Sequence, residues 1–450
     1  MIMPGSMHTS GQDDHQDTCN SQEENAQNSK KEEKILGKKS CNKQEVNHQP
    51  LLSTNVAHLI AAILVIILAV IATKAGTSNS DDLKKHLLVI YEKYIMFWRS
   101  APAGHGRPLG HHQPPLAEPI DVLEEFPHPE EFYRRYTKPR RPAIFRGLAR
   151  LHPAFQRWTD DYLRKEFGNL NVDVEVKKKE DRGQGSLDMS FAQYLSIYSK
   201  EDYYMVYSVP EEMHGDLIVP RSIQCGGLQH MLMDVVLWFS SGGTRSVLHY
   251  DELDNINCVL DGSKQFFLVD AERGSSHIEF DHMEGRYSSV DVQHVDMYKF
   301  PGLRDVPWYN VTLEKGDCFY LPYKWPHHVR SSNTRNMAVN FWFTRMLWMN
   351  ETDCAGKQLS HVTSMADFVT REPASLRKAD IISQAEGYEQ MTLLSFTDIF
   401  SEYTTDGPNA TEEAFDTLDA DGDGLLDIAE MYAYDTARFL RLFPSFPMED

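Results

Sequence analysis

Between Leu116 and Thr370 the chain repeatedly spells short runs of β-branched and aromatic residues cut by glycine, proline and aspartate: "RPAIFRGL", "VVLWFSS", "INCVLDGSKQFFLVD", "DCFYLPYKW" and "NMAVNFWF". Runs of this length and spacing fold as strands joined by turns, and so many of them suggest a sandwich or a barrel. Helical patterning precedes them in "AFQRWTDDYLRKEF" and "SFAQYLSIYS". The expected fold of this region is therefore mostly β with flanking helices. At 450 residues the chain has room for two or three units, and 41% hydrophobic residues can build a sizeable core.

Charge narrows the partners. The chain carries 66 acidic against 45 basic residues, a net charge of -21, and shows no basic stripe, so no nucleic acid is expected. Six cysteines, Cys19, Cys41, Cys225, Cys258, Cys318 and Cys354, have no C-x-x-C spacing and make neither a zinc ribbon nor a disulfide-dense scaffold.

One strand-like stretch, "VLHYDELDNINCVLDGSK", carries His249 and Asp251. Period-2 geometry turns both to one face, which puts two metal-ligating side chains into one space. A second histidine cluster lies in "GDCFYLPYKWPHHVRSS"; His327 is the expected third ligand and His328 its rival. Two histidines and one carboxylate on one face of a metal leave three positions open, which suits Fe(II) binding an oxidant and a cosubstrate together. A structural zinc would want four ligands. Taken singly, either histidine reads as an ordinary core residue. Their occurrence with Asp251 is what points to a site.

These residues sit in a longer ordered pattern. From about Leu116 to Thr370, "RPAIFRGL", "LHYDELDN", "LDGSKQFFLVD", "EKGDCFYLPYKWPHHVRS" and "RNMAVNFWF" together resemble the JmjC (cupin-type) Fe(II)- and 2-oxoglutarate-dependent oxygenases. The resemblance implies a double-stranded β-helix (jelly-roll or cupin) in which His249, Asp251 and His327 hold iron; the W-x-H spacing from Trp325 favours His327 over His328. It also implies that Lys264 pairs with the distal carboxylate of 2-oxoglutarate, a role that charge-assisted hydrogen bonding makes physically sensible. Ser246 takes the place of a hydroxyl residue three before the first histidine. Tyr204 offers a phenol to the same carboxylate, although a one-residue register slip would exchange it for Tyr203. Asn255 and Asn340 match polar pocket positions, or else satisfy backbone groups there. The pattern is most similar to the branch that hydroxylates small molecules, RNA and proteins, and it has none of the reader or zinc modules of many chromatin demethylases.

Outside this region the sequence changes character. Residues 1–55 are polar, without hydrophobic period, and read as a disordered tail. "VAHLIAAILVIILAVIAT", Val56 to Thr73, is a run of 18 residues without formal charge, and 56–74 reads as a transmembrane helix. Lysines flank it similarly on both sides, so the positive-inside rule gives little guidance. Three N-x-[ST] sites, at Asn310, Asn350 and Asn409, all lie beyond it. The expectation is a glycosylated single-pass type II membrane protein with a signal anchor, in the endoplasmic reticulum or another secretory-pathway membrane, its catalytic domain lumenal. Residues 75–115 read as an amphipathic juxtamembrane helix followed by a solvated linker, "APAGHGRPLGHHQPP".

Residues 371–450 read as a small helical domain. In it, "DTLDADGDGLLDIAEM" fits the EF-hand template D-x-[DN]-x-[DN]-G-x5-E at every position. Asp419, Asp421 and Asp423 would give side-chain oxygens, Leu425 a carbonyl, Asp427 a direct or water-mediated ligand and Glu430 a bidentate carboxylate, with Gly424 at the sharp turn. "EGYEQMTLLSFTDIF" reads as a degenerate partner with Leu394 at the β-contact position. The sequence thus describes a membrane-anchored dioxygenase using Fe(II) and 2-oxoglutarate, hydroxylating a protein side chain and binding one Ca2+, with a homodimer as a further expected partnership. Two alternatives stand beside it: a JmjC-type lysine demethylase, and a calcium-dependent membrane binding protein whose barrel is only a scaffold.

Overall fold

In the computed structural model, which describes Lys85 and residues 101–447 except 177–185, 283–284, 369–372, 405–406 and 408, the β-rich runs form two facing sheets. Their strands are β1 (Asp121–Leu123), β2 (Ala143–Phe145), β3 (Asn171–Glu175), β4 (Ser186–Ser190), β5 (Tyr204–Ser208), β6 (Leu232–Ser240), β7 (Asp254–Asp261), β8 (Lys264–Val269), β9 (Trp308–Leu313), β10 (Cys318–Leu321), β11 (His327–Ser331) and β12 (Asn336–Phe343). The larger sheet runs β1-β2-β10-β7-β12-β6-β5-β3-β4, and the smaller β11-β8-β9. The chain changes sheets between β7 and β8 at a turn where Gly262 takes φ +71°, a conformation glycine adopts without steric cost. That crossing sets Lys264 at the head of β8, opposite Ser331 of β11.

Strand β6 shows how one sequence serves two faces. Val235, Leu237 and Phe239 pack into the main core, while the intervening Trp238 lines a cavity between the sheets. The main core is roofed by α1 (Asp160–Phe167) and α2 (Phe191–Ile197) through Leu163, Phe191 and Tyr194. Thr159 caps α1 by accepting from Tyr162 N at 3.2 Å, and Ser190 with Gln193 forms a capping box on α2. Full burial of Phe145, Phe239 and Phe341 contributes about 2 kcal/mol each relative to exposure. Between the sheets, Val259, Phe266, Leu268 and Phe319 form a second cluster. Four of the cysteines are paired: Cys258 bonds Cys318 directly across β7 and β10, and Cys225 bonds Cys354.

Two expectations are corrected here. The segment from 101 to 115 is not a solvated linker: Leu109 is 7% exposed and packs with Val292, Val295 and Met297, while Gly106 N and Leu109 N donate to Val295 O and Val292 O at 2.8 and 2.9 Å. The expected single-pass type II membrane protein with a lumenal catalytic domain is overturned, because no helix among the described residues is long and apolar enough to cross a membrane. The longest of them, α3 (Pro373–Ser383), has 11 residues and spans about 16 Å, against the ~30 Å of a bilayer core. The run from Val56 to Thr73 lies outside the described residues, as do the tail and, apart from helical Lys85, the expected juxtamembrane helix.

The C-terminal lobe comprises α3, β13 (Gln390–Thr392), α4 (Leu393–Phe400), α5 (Ala410–Leu418), β14 (Leu425–Asp427), α6 (Ile428–Ala433) and α7 (Thr436–Leu442). Its core gathers Phe396, Phe400, Phe415, Leu426, Met431 and Phe439. β13 and β14 pair antiparallel, with Met391 opposite Leu426. Leu394 is not the β-contact residue: Thr392 accepts from Ser395 N and starts α4 at Leu393, leaving Leu394 73% exposed.

Candidate active site

The cavity between the sheets collects the residues singled out by the sequence. The larger sheet contributes Tyr204 from β5, Asn255 from β7 and Asn340 from β12; the smaller contributes Lys264 from β8 and His327 from β11. His249, Asp251 and Ser246 come from the segment that leads into β7, which bridges to β11 through reciprocal hydrogen bonds between His249 and His327. Donor atoms of His249, Asp251 and His327 all lie within 4.8 Å of one another. His249 Nε2 is 3.7 Å from one Asp251 oxygen, and His327 Nε2 is 3.8 Å from the other.

The backbone sets the histidine tautomers. His249 Nδ1 lies 3.0 Å from Val247 O and His327 Nδ1 lies 2.9 Å from Trp325 O. A carbonyl can only accept, so both Nδ1 atoms carry the proton and both Nε2 lone pairs face Asp251. Burial, and then the nearby His249, lower the pKa of His327 to about 4, which keeps it neutral and able to ligate. His328 turns elsewhere: its Nδ1 donates to Ser246 O at 2.7 Å, and its Nε2 accepts from Arg330 Nε at 3.0 Å. The donor set fits a divalent cation that takes nitrogen and oxygen ligands on one face and leaves the rest of its sphere open.

Lys264 is 6% exposed, and burial lowers its pKa to about 8. Among the described residues no carboxylate pairs with it; its ammonium lies 5.5 Å from the centre of the Trp238 ring. A buried cation without an anionic partner is costly, so the cavity fits a ligand bearing a carboxylate. Ser246 is occupied in tying segments together, since its hydroxyl donates to Val247 O and accepts from Val329 N, both at 2.9 Å. Asn340 accepts from Asn257, and Asn255 has a buried oxygen without a hydrogen-bond partner.

Several lining residues escaped the sequence reading. Asn257, Trp238 and Trp342 share the cavity wall; the alternation Asn255-Asn257 on a strand was the available signal, whereas nothing marked the tryptophans. Tyr287, from the insertion between β8 and β9, stacks on His249 with ring centres 5.6 Å apart. Its segment is sewn to the stretch that carries His249 by Tyr250 N to Arg286 O at 3.2 Å and Ser288 N to Leu248 O at 2.9 Å.

In the C-terminal lobe, the structure brings oxygens of Asp419, Asp421 and Glu430 within 4.8 Å. Asp419 accepts from Gly422 N and Gly424 N at 2.9 and 3.0 Å, and Gly424 takes φ +81°. Asp423 accepts from Leu425 N at 2.8 Å, and Asp427 accepts from Glu430 N at 2.8 Å, capping α6.

Residues 129–347 match the family model described as a cupin-like domain, the class that the two facing sheets and the cavity between them also define. More particularly, the curated proteins it resembles are named as JmjC-domain proteins, lysine-specific demethylases and a lysyl hydroxylase. The chain is similar to the lysine-specific demethylase JMJ30 of Arabidopsis thaliana, at 28% identity over 50% of this chain and 53% of that protein. It is also similar to Jumonji C domain-containing protein 5 of Drosophila melanogaster, at 25% over 48% and 58%, and to the human bifunctional peptidase and (3S)-lysyl hydroxylase JMJD7, at 27% over 51% and 84%. Against the first two, the chain spans 53% and 58% of the relative's length.

Proposed function

We propose that the domain is an Fe(II)- and 2-oxoglutarate-dependent dioxygenase that hydroxylates a side chain of a protein substrate. The pair of histidine tautomers carries this reading: both Nδ1 atoms are spent on backbone carbonyls, so both Nε2 atoms are free for a metal beside one carboxylate. His249, Asp251 and His327 hold the iron. Lys264 receives the distal carboxylate of 2-oxoglutarate in the cavity that Tyr204, Ser246, Asn255 and Asn340 also line. Bound together, iron and 2-oxoglutarate would supply the oxidant for adding one atom of O2 to a C–H bond, the other atom entering succinate as 2-oxoglutarate loses CO2. The chain's own share is to hold that C–H bond beside the triad, with the Trp238 and Trp342 rings helping to exclude water.

Hydroxylation is favoured by the human relative named as a lysyl hydroxylase. The relatives named as lysine-specific demethylases support a second reading, demethylation. Incubating the full chain with Fe(II), 2-oxoglutarate and candidate protein substrates tests both. A substrate gaining one oxygen atom, with stoichiometric succinate, is the expected result; loss of a methyl group with formaldehyde selects the second reading, and no substrate-driven succinate at all overturns both.

The C-terminal loop from Asp419 to Glu430 is, in the same proposal, an EF-hand that binds one Ca2+. Asp419, Asp421, Asp423 and Glu430 supply side-chain oxygens, Leu425 its carbonyl, and Asp427 a direct or water-mediated contact once its cap on α6 is shared. Calorimetric titration of the full chain with Ca2+ reads the stoichiometry. One site, lost in Glu430→Gln, is expected; no binding heat would remove this part and leave the dioxygenase reading untouched.

A further inference from the structure

The turn from Pro322 to Pro326 touches two members of the candidate triad without belonging to it. Lys324 N donates to Asp251 O at 2.9 Å, and Trp325 O accepts from His327 Nδ1 at 2.9 Å. The turn is not relaxed: Lys324 has φ +56°, a left-handed conformation that a lysine keeps only where its surroundings hold it. Tyr323, the preceding residue, shows what holds it. Its N–H donates to Asp254 Oδ1 at 2.9 Å, and the same oxygen accepts from Tyr320 Oη at 2.7 Å. Asp254 is 1% exposed, its carboxylate lying beneath the turn.

A buried carboxylate needs compensation, and Arg345 lies where it can supply it. Arg345 follows β12, whose Phe343 is in direct register with Asp254. Its guanidinium lies 5.3 Å from the centre of the Tyr323 ring; burial pushes the pKa of the Asp254 carboxyl up to about 6, and the charges of Arg345 and then Arg140 act against that rise. Arg345 Nε and Asp254 Oδ2 are both buried without a hydrogen-bond partner. The far side of the guanidinium is pinned by an ion pair to Glu386, which belongs to the helical lobe and precedes β13. Glu386, Arg345, the Tyr323 ring and Asp254 therefore run continuously from the lobe to the residues that fix Asp251 and His327.

We infer that Arg345 is a positioning residue for the metal site, and that through it Glu386 of the helical lobe braces the turn that holds Asp251 and His327. The inference rests on the reading of His249, Asp251 and His327 as metal ligands. Truncating Arg345 frees the Tyr323 ring, leaves Asp254 short of a compensating charge and lets the left-handed turn relax, so the triad loses its convergence while each ligand remains present.

The test is Co(II) titration of the full chain, read by visible absorption. Wild type is expected to take up one Co(II) that is lost in His249→Ala. Arg345→Ala is expected to weaken that uptake about tenfold, as loss of an outer partner of a metal site does, and Arg345→Lys, which keeps the charge, to recover part of it. Glu386→Gln, at a more exposed position that folding should tolerate, is expected to lose about threefold and carries the test if Arg345→Ala does not fold. A general loss of stability would lower the thermal midpoint without this graded, charge-dependent recovery. If wild type binds Co(II) at the triad but Arg345→Ala or Glu386→Gln matches it within about twofold, the brace is wrong and the metal site stands. If wild type shows no Co(II) dependent on His249, the metal reading fails and the brace falls with it.

Discussion

The cavity site and the acidic loop of the helical lobe are both candidate cation sites, and they are assembled in opposite ways. His249 and His327 meet only because the two sheets face each other and the segment at 249 bridges to β11. The loop from Asp419 to Glu430 draws its oxygens from consecutive sequence, and its carboxylates are hydrogen-bonded to the loop's own N–H groups. A site built across sheets is held in place before any metal arrives and is buried, so its geometry is set by the whole core. A local loop can reorganise around its ion, so its geometry is set by a few turns.

The largest break in this comparison comes from deleting a barrel ligand. His249→Ala and Asp251→Ala are expected to abolish 2-oxoglutarate turnover, measured as succinate, while leaving Ca2+ uptake by the lobe unchanged. Retained turnover in either mutant after metal-free purification and addition of Fe(II) would falsify the assignment of the triad.

Lys264 tests the buried half next. Lys264→Ala is expected to raise the KM for 2-oxoglutarate about 100-fold, in line with the 2–5 kcal/mol lost when one partner of a buried charged hydrogen bond is truncated. The wild-type pH profile carries a sharper form of the same test. Burial lowers the Lys264 pKa to about 8 from an ordinary value of 10.5. The folded cosubstrate-free chain therefore releases its proton from about pH 8, whereas the unfolded chain keeps it until about 10.5, so this residue makes stability rise with pH across that window. Binding a carboxylate needs the charged form, so affinity for 2-oxoglutarate falls across the same window. Unfolding and isothermal titration at several pH values should thus move in opposite directions; affinity that stays flat above pH 8 would remove Lys264 from the carboxylate site.

How legible each region was follows from the same contrast. The strands could be read from β-branched and aromatic runs between turn residues, and His249, Asp251, Lys264 and His327 from an ordered set of short motifs, because each is a local pattern; the strand expected through His249 and Asp251 begins only at Asp254. Trp238, Asn257 and Tyr287 were missed because their place at the cavity depends on which strand faces which, and that register is written in packing across the core. The docking of Leu109 against Val292 and Val295 was hidden for the same reason: a proline- and glycine-rich segment signals a break in regular structure, and only the apolar surface it meets makes it ordered. In the lobe the loop is legible residue by residue, but the β-contact falls at Met391 and not Leu394, because the Thr392 cap fixes where α4 begins.

A calcium effect on the lobe should be about as large as the Lys264 effect and smaller than the loss of a triad ligand. Saturating Ca2+ is expected to stabilise it by about 2.7 kcal/mol at a concentration one hundred times Kd, read as a raised thermal midpoint. Glu430→Gln should remove most of that gain while leaving the midpoint in chelator nearly unchanged. A gain that survives in Glu430→Gln would place the ion elsewhere.

The smallest expected effect separates the two regions most cleanly, because it uses the same substitution in each. Gly424 in the loop has φ +81° and nothing within 4 Å of where a Cβ would stand, so Gly424→Ala meets only backbone strain, about 1 kcal/mol. Gly262, at the crossing between β7 and β8, has a similar φ of +71°, but a Cβ there would lie 2.5 Å from Asn336 Nδ2 and 2.7 Å from Arg335 O. Gly262→Ala therefore adds a clash with backbone to the same strain and should cost at least about 1 kcal/mol more. Chemical denaturation of the two variants reads the difference directly. Equal costs would mean that the barrel turn gives way as easily as the exposed loop, and that the cavity it leads into is less rigidly preset than its two-sheet construction requires.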